Sequence, residues 1–276
     1  TMLAGCASRG GPTIEEVLTA HPEVLGALSS SPEARRVQIV LAEGVTRGGR
    51  ETIRRSGYRA GAEYFYPAST IKLCAAIAAV QMVEELNAGE EVRSGRAELM
   101  TIDSPLRFHP LFAGEQMRDR DETNLDGGTI TLRHEIRKLF LVSDNEAYEF
   151  VGHRELNERM RTLGLSSTVL NHRLSVGRSP EENRRTPRIE VLGTDGRVIR
   201  TIPERTSDLI IANAPMPGLK VGDAFARGGN DIVMEPMDFT MRNGMSLVVL
   251  QDLLIMLARP EIDIGKGPMR LSDEHR

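Results

Sequence analysis

The chain has 276 residues, 27% of them charged, and a formal net charge of −4. That length holds one large domain, or two interleaved ones, with a sizeable core; the mild acidity and lack of a polybasic run argue against nucleic acid as a partner. Trp is absent and aromatics make up only 4%, which argues against stacking platforms for bases or sugars, and no apolar run reaches the roughly 18 residues of a membrane span.

In chain order, LAGCAS (residues 3–8) comes first. Small residues precede Cys6 and a polar, glycine-rich spacer follows it, so the stretch resembles the lipobox of a bacterial lipoprotein. That resemblance implies a lipid on Cys6 and a periplasmic or cell-envelope location, anchored at the membrane. The apolar part of a signal peptide is missing, so Thr1 reads as a cut inside the signal. Residues 1–12 are therefore read as lipobox stub and spacer, and 13–276 as the folded domain.

Residues 13–29 suggest a short helix broken near Pro22. RVQIVLAEG (36–44) alternates and β-branches like a strand, 51–59 reads as its partner, and TRGGR (46–50) as the turn between them. A helix follows over 69–88, with Leu73, Ala76, Ile77, Val80 and Val83 at helical spacing and alanines between them, hence buried nearly all round. Cys74 falls within it and reads as a small core residue. Residues 89–128 are polar and irregular. Thr131 reads as the N-cap of a helix over about 132–141, SDN (143–145) interrupts, and a second helix runs from about 146 to 163. Residues 187–202 read as a β-hairpin turning at Thr194-Asp195-Gly196. The last clear helix is about 246–258, closed by Pro260, and LSDEHR (271–276) reads as a helix beginning at Ser272. Met234, Met237, Met241 and Met245 are interrupted by Pro236 and Gly244, so they read as core or loop fillers. Gly228-Gly229 reads as a turn.

One local rule is broken. Lys72 stands in the first turn of the buried helix, three residues after Ser69, where the helix dipole disfavours a cation and a capping box would want Glu or Gln. On a helix the two side chains share one face. A helix start offers unpaired N–H groups to a developing alkoxide. A lysine among apolar groups has its ammonium form penalised, and a neutral amine beside a hydroxyl activates a serine nucleophile. The bland reading is an N-cap serine and a solvated lysine. Ser143-Asp144-Asn145, at a helix break, adds a second hydroxyl able to relay a proton. It also adds an amide able to bond substrate and lysine, and an Asp144 suited to holding the loop through backbone N–H groups.

Taken together, YPASTIK around Ser69 and ITLRHEIRKLFLVSDN running into Ser143 resemble the serine β-lactamase and penicillin-binding protein superfamily, and most of all its class A β-lactamases. The resemblance is good over about residues 36–176. It implies an α/β (α+β) fold with a helical lobe packed on an antiparallel sheet. It also implies a Ser69 acyl-enzyme with Lys72 as proton acceptor, Ser143 as shuttle to the leaving nitrogen and Asn145 as substrate and lysine positioner. The Ser69 N–H would form half of an oxyanion hole. Three departures stand out. A K-T-G motif is not found: Lys220-Val221-Gly222 is a poor substitute that makes Lys220 a weak substrate-binding candidate, and the motif strand is expected beyond Arg276. The loop glutamate that serves deacylation has only Glu181 or Glu182 of RSPEENRR as candidates. The stretch of about 184–240 reads as an insertion.

The expected function is hydrolysis of β-lactams. A D-Ala-D-Ala carboxypeptidase or penicillin-binding protein, and a non-catalytic peptidoglycan- or partner-binding lipoprotein, are the alternatives. The expected ligand is accordingly a β-lactam or a peptidoglycan stem peptide. No cofactor is expected, and His109 and His134 stand isolated, without metal-ligand spacing.

Overall fold

The computed structural model describes residues 12–95, 98–151, 156–228 and 231–275; Cys6 and the rest of the lipobox lie outside them. Helices α1 (Ile14–Ala20) and α2 (Pro22–Ser29) are separated at His21. Thr13 starts α1 with a reciprocal capping box, its Oγ accepting from Glu16 N–H while Glu16 accepts from Thr13 N–H at 2.7 Å. Strands β1 (Ile39–Arg47) and β2 (Arg50–Tyr58) pair antiparallel over their full lengths. Gly48 and Gly49 close this hairpin at φ +58° and +79°, the left-handed pair that a two-residue turn needs and that side chains resist.

A 3₁₀ turn (Ala68–Ile71) leads into α3 (Lys72–Asn87). This helix is the axis of the core: Cys74 through Val80 and Val83 are buried. A short helix α4 (Glu90–Arg93) and strands β3 (Pro105–Phe108) and β4 (Ile130–Thr131) occupy the stretch the sequence pattern leaves irregular. α5 (Leu132–Leu141) starts at Thr131, whose hydroxyl accepts from His134 N–H, as expected. Of the helix expected over about 146–163, the stretches α6 (Asn145–Val151) and α7 (Leu156–Thr162) are described. α5, α6 and α7 all pack on α3.

Next come α8 (Pro180–Asn183), β5 (Arg185–Thr186), β6 (Ile189–Leu192), β7 (Val198–Ile202) and β8 (Arg205–Thr206). The expected 187–202 hairpin is β6–β7, and it does not stand apart: β6 also pairs with β3, giving a four-stranded antiparallel sheet in the order β4-β3-β6-β7. Its register places Leu106 opposite Val191 and Phe108 opposite Ile189, all buried. Short ribbons follow, β9 (Lys220–Val221) with β12 (Met237–Asp238) and β10 (Phe225–Gly228) with β11 (Asp231–Val233). Of the four methionines there, Met245 enters the core whereas Met234 is 80% and Met241 45% exposed.

α9 (Leu247–Ala258), capped by Ser246, packs on β1, and α1 packs on β2. The hairpin is thus packed by helices along both strands, and an ion cluster around buried Asp252 fastens it. Asp252 of α9, 3% exposed, accepts from Arg55 of β2 and lies 3.4 Å from Lys266, whose amine also donates to the Gly164 carbonyl.

Candidate active site

The 3₁₀ turn explains how Ser69 and Lys72 share a face. Side chains three apart eclipse in that helix, and Lys72 N–H donates to the Ser69 and Thr70 carbonyls. Ser69 is exposed at the mouth of α3, whereas Lys72 is 2% exposed. The buried amine reaches across to the break between α5 and α6. It donates to the Ser143 Oγ at 2.8 Å and to the Ser143 carbonyl. Burial holds the Lys72 ammonium below its ordinary pKa, and the Asp144 charge offsets part of that shift.

The backbone presents these groups at a cost. Among the described residues, five non-glycine residues adopt positive φ, and three are Ala68 (+45°), Ser143 (+55°) and Ser175 (+61°). Each such conformation costs on the order of 1–3 kcal/mol and persists where the surroundings enforce it. At Ser143 the left-handed turn lets both its carbonyl and its hydroxyl meet Lys72. Asp144 holds the turn by accepting from Ala147 N–H at 2.9 Å. Asn145 Nδ2 donates to the Ser175 Oγ at 2.7 Å, so it ties the SDN turn to the loop of residues 171–179.

The other end of that loop grips the segment leading to Ser69. The rings of His172 and Tyr66 lie nearly parallel with centroids 6.4 Å apart. Tyr64 Oη donates to the Asn243 carbonyl. Asn243, fully buried, accepts through Oδ1 from the N–H groups of Asn171 and His172 and donates through Nδ2 to the His172 carbonyl. Its own N–H donates to His172 Nδ1 at 3.1 Å, and burial together with the Arg242 charge pushes His172 down to about 4. Ser175, His172 and Asn243 give no signal in the sequence; their function arises from contacts up to 179 residues apart.

Of the remaining candidates, Glu182 is consumed by a capping box with Ser179 at the start of α8. Glu181 is exposed and lines a cleft of about 600 Å³ with His172, Arg184 and Arg242; neither Ser69 nor Lys72 lines it. Asn183, buried, accepts from Arg173 N–H and donates to the carbonyls of Arg178 and Ser179, which shapes the loop. Lys220 is exposed on the β9–β12 ribbon beside Asp238. Among the described residues, no group of His, Cys, Asp and Glu side chains forms a metal site. Cys74 is buried and its thiol is pushed up to about 12 by burial, which makes it inert.

A buried lysine bridging the start of α3 to a left-handed serine turn, in a lobe of helices on antiparallel sheet, fits the serine β-lactamase-like class. Comparison with known families agrees: the sequence model of the β-lactamase enzyme family matches residues 52–194, just over half of the chain and inclusive of Ser69, Lys72, Ser143 and Asn145. The chain belongs to the β-lactamase enzyme family. No curated protein and no solved structure matches it.

Proposed function

We propose that the protein is a serine acyl-transfer hydrolase that opens β-lactams through an acyl-enzyme on Ser69. The observation that carries this reading is the burial of Lys72 with its amine on both oxygens of Ser143. A neutral amine has two N–H donors and one lone pair. The Ser143 carbonyl and hydroxyl take the two donors, leaving the lone pair for the Ser69 proton. Ser69 Oγ then bonds to the lactam carbonyl carbon. The C–N bond breaks as the Ser143 hydroxyl passes a proton to nitrogen and regains one from Lys72. Water cleaves the resulting ester.

A second reading, a D-Ala-D-Ala carboxypeptidase or penicillin-binding protein, is favoured by the state of the two loop glutamates. Glu182 is held by Ser179, and Glu181 opens onto the cleft beside His172. An acyl-enzyme without a base for its water would persist.

Intact-protein mass after penicillin treatment tests both. The expected result is an adduct that is lost in Ser69→Ala; an adduct retained in that variant would eliminate Ser69 as nucleophile. Turnover of a chromogenic cephalosporin then supports the lactamase, and one equivalent of acylation without turnover supports the peptidase. The LAGCAS stretch supports placement at the cell envelope through a lipid on Cys6. Labelled fatty acid incorporated by the full-length precursor in a bacterial host, and lost in Cys6→Ala, is the expected outcome.

A further inference from the structure

The reaction proposed above needs the Ser143–Asn145 turn in one orientation, and an ionic cluster stands directly behind that turn. Lys138, in the last turn of α5, donates from Nζ to Asp121 Oδ2 at 2.7 Å and to Glu135 Oε1 at 3.4 Å, and lies 3.8 Å from Asp144 Oδ2. Its backbone carbonyl accepts from Asp144 N–H at 3.2 Å. One residue therefore holds Asp144 by side chain and by main chain, and Asp144 is joined to Ser143, the partner of Lys72.

We infer that Lys138 and Glu135 are positioning residues for the Ser143–Lys72 contact, and that ionisation of Glu135 loosens it. The link to catalysis rests on the Ser69 reading; the link to the turn does not.

The charges explain the direction. Lys138 is the ammonium facing three carboxylates, Asp121, Glu135 and Asp144, and His134 lies 3.5 Å from Asp121. The other walls around Glu135 are apolar: Ala79 and Met82 of α3, Leu106 of β3, Ile189 of β6 and Ile202 of β7 share with it a void of about 20 Å³. Glu135 is 1% exposed and its Oε2 has no hydrogen-bond partner among the described residues. An ionised carboxylate with an unserved oxygen is costly there. Burial pushes the carboxyl up to about 7, against the pull of Lys138 and with the help of the Asp121 charge. While Glu135 is neutral, Lys138 is shared between Asp121 and Asp144. Once ionised, Glu135 draws the ammonium from Asp144, the most distant of its three partners, and repels Asp144 as well.

The test follows the Asp144 backbone amide by NMR in the whole protein, from about pH 5 to about pH 9. In the wild type its shift titrates with a midpoint at about 7; in Glu135→Gln, shown to be folded by thermal melting, that titration disappears. Acylation by labelled penicillin declines through the same midpoint in the wild type, and the decline is absent in Glu135→Gln. Lys138→Arg keeps the rate, whereas Lys138→Met slows it by about tenfold or more. An Asp144 amide that ignores pH, or titrates alike in both proteins, overturns the inference. Absent acylation with that titration intact overturns the Ser69 reading and leaves the coupling established.

Discussion

On the proposed reading, Lys72 sets stability against activity within one side chain. Its amine is desolvated, and its held-down pKa means the folded state disfavours the proton. Stability from this group is therefore present at high pH and lost as pH falls below the ordinary lysine value. The acylation rate follows the same titration, rising with pH as the amine becomes neutral; the rise is read in Glu135→Gln, which lacks the opposing decline that ionisation of Glu135 imposes through about 7 in the wild type. Lys72→Met removes the buried charge and keeps the volume, so we expect melting unchanged or raised by about 1 kcal/mol equivalent. The penicillin adduct should vanish in the same variant. A melting temperature that drops sharply while acylation survives would contradict this account. Lys72→Arg restores a cation that never deprotonates, so its acylation rate should fall by about a thousandfold.

At the scale of elements, the site depends on how α5 starts and on how the loop of residues 171–179 is pinned. The Thr131 hydroxyl caps the helix that carries Lys138 and delivers the SDN turn; Thr131→Ala should cost about 1 kcal/mol in denaturant unfolding. Asn243 is a larger keystone. Truncation to Ala strands the N–H groups of Asn171 and His172 and the His172 carbonyl, so a loss of about 3 kcal/mol is expected, with slower Ser69 acylation as the Tyr66 side of the site loosens. A loss within about 0.5 kcal/mol would mean the loop is held elsewhere. The same contrast explains what the sequence reveals. α5, α9 and the β1–β2 hairpin are legible because their signals are local: Thr131, Ser246 and Gly48-Gly49. Lys72 and Ser143, which the structure brings into contact, stand out because S-x-x-K and S-D-N fall at two helix starts and their pairing, not the spacing of either alone, resembles a known family. β3 is hidden because PLRF opens on a proline and is stabilised by β4 and β6, which are distant in sequence. Asn243 and Ser175 are hidden for the same reason.

For the whole molecule, the titrations of half-buried His172 and buried Glu135 oppose each other. His172 is held at about 4 against an ordinary 6.5, so the unfolded chain takes a proton that the folded one refuses. That stability is complete above about pH 6.5 and lost as pH falls towards 4. Glu135 is raised to about 7 from 4.5, so here the folded state binds the proton more tightly. Its contribution is complete below about pH 4.5 and lost as pH rises through 7. Each group commands up to about 3 kcal/mol, with opposite sign over a nearly shared window. The wild-type stability contributed by the pair should therefore be nearly flat between about pH 4.5 and 6.5. Removing one partner exposes the other. Glu135→Gln should lose stability on acidification across this window, and His172→Gln should lose it on going alkaline, by about 1–3 kcal/mol each. Urea unfolding of the three proteins at stepped pH reads the slopes directly, whatever the absolute stability of each variant. Parallel curves for all three would show that neither group titrates in the folded molecule as its surroundings dictate.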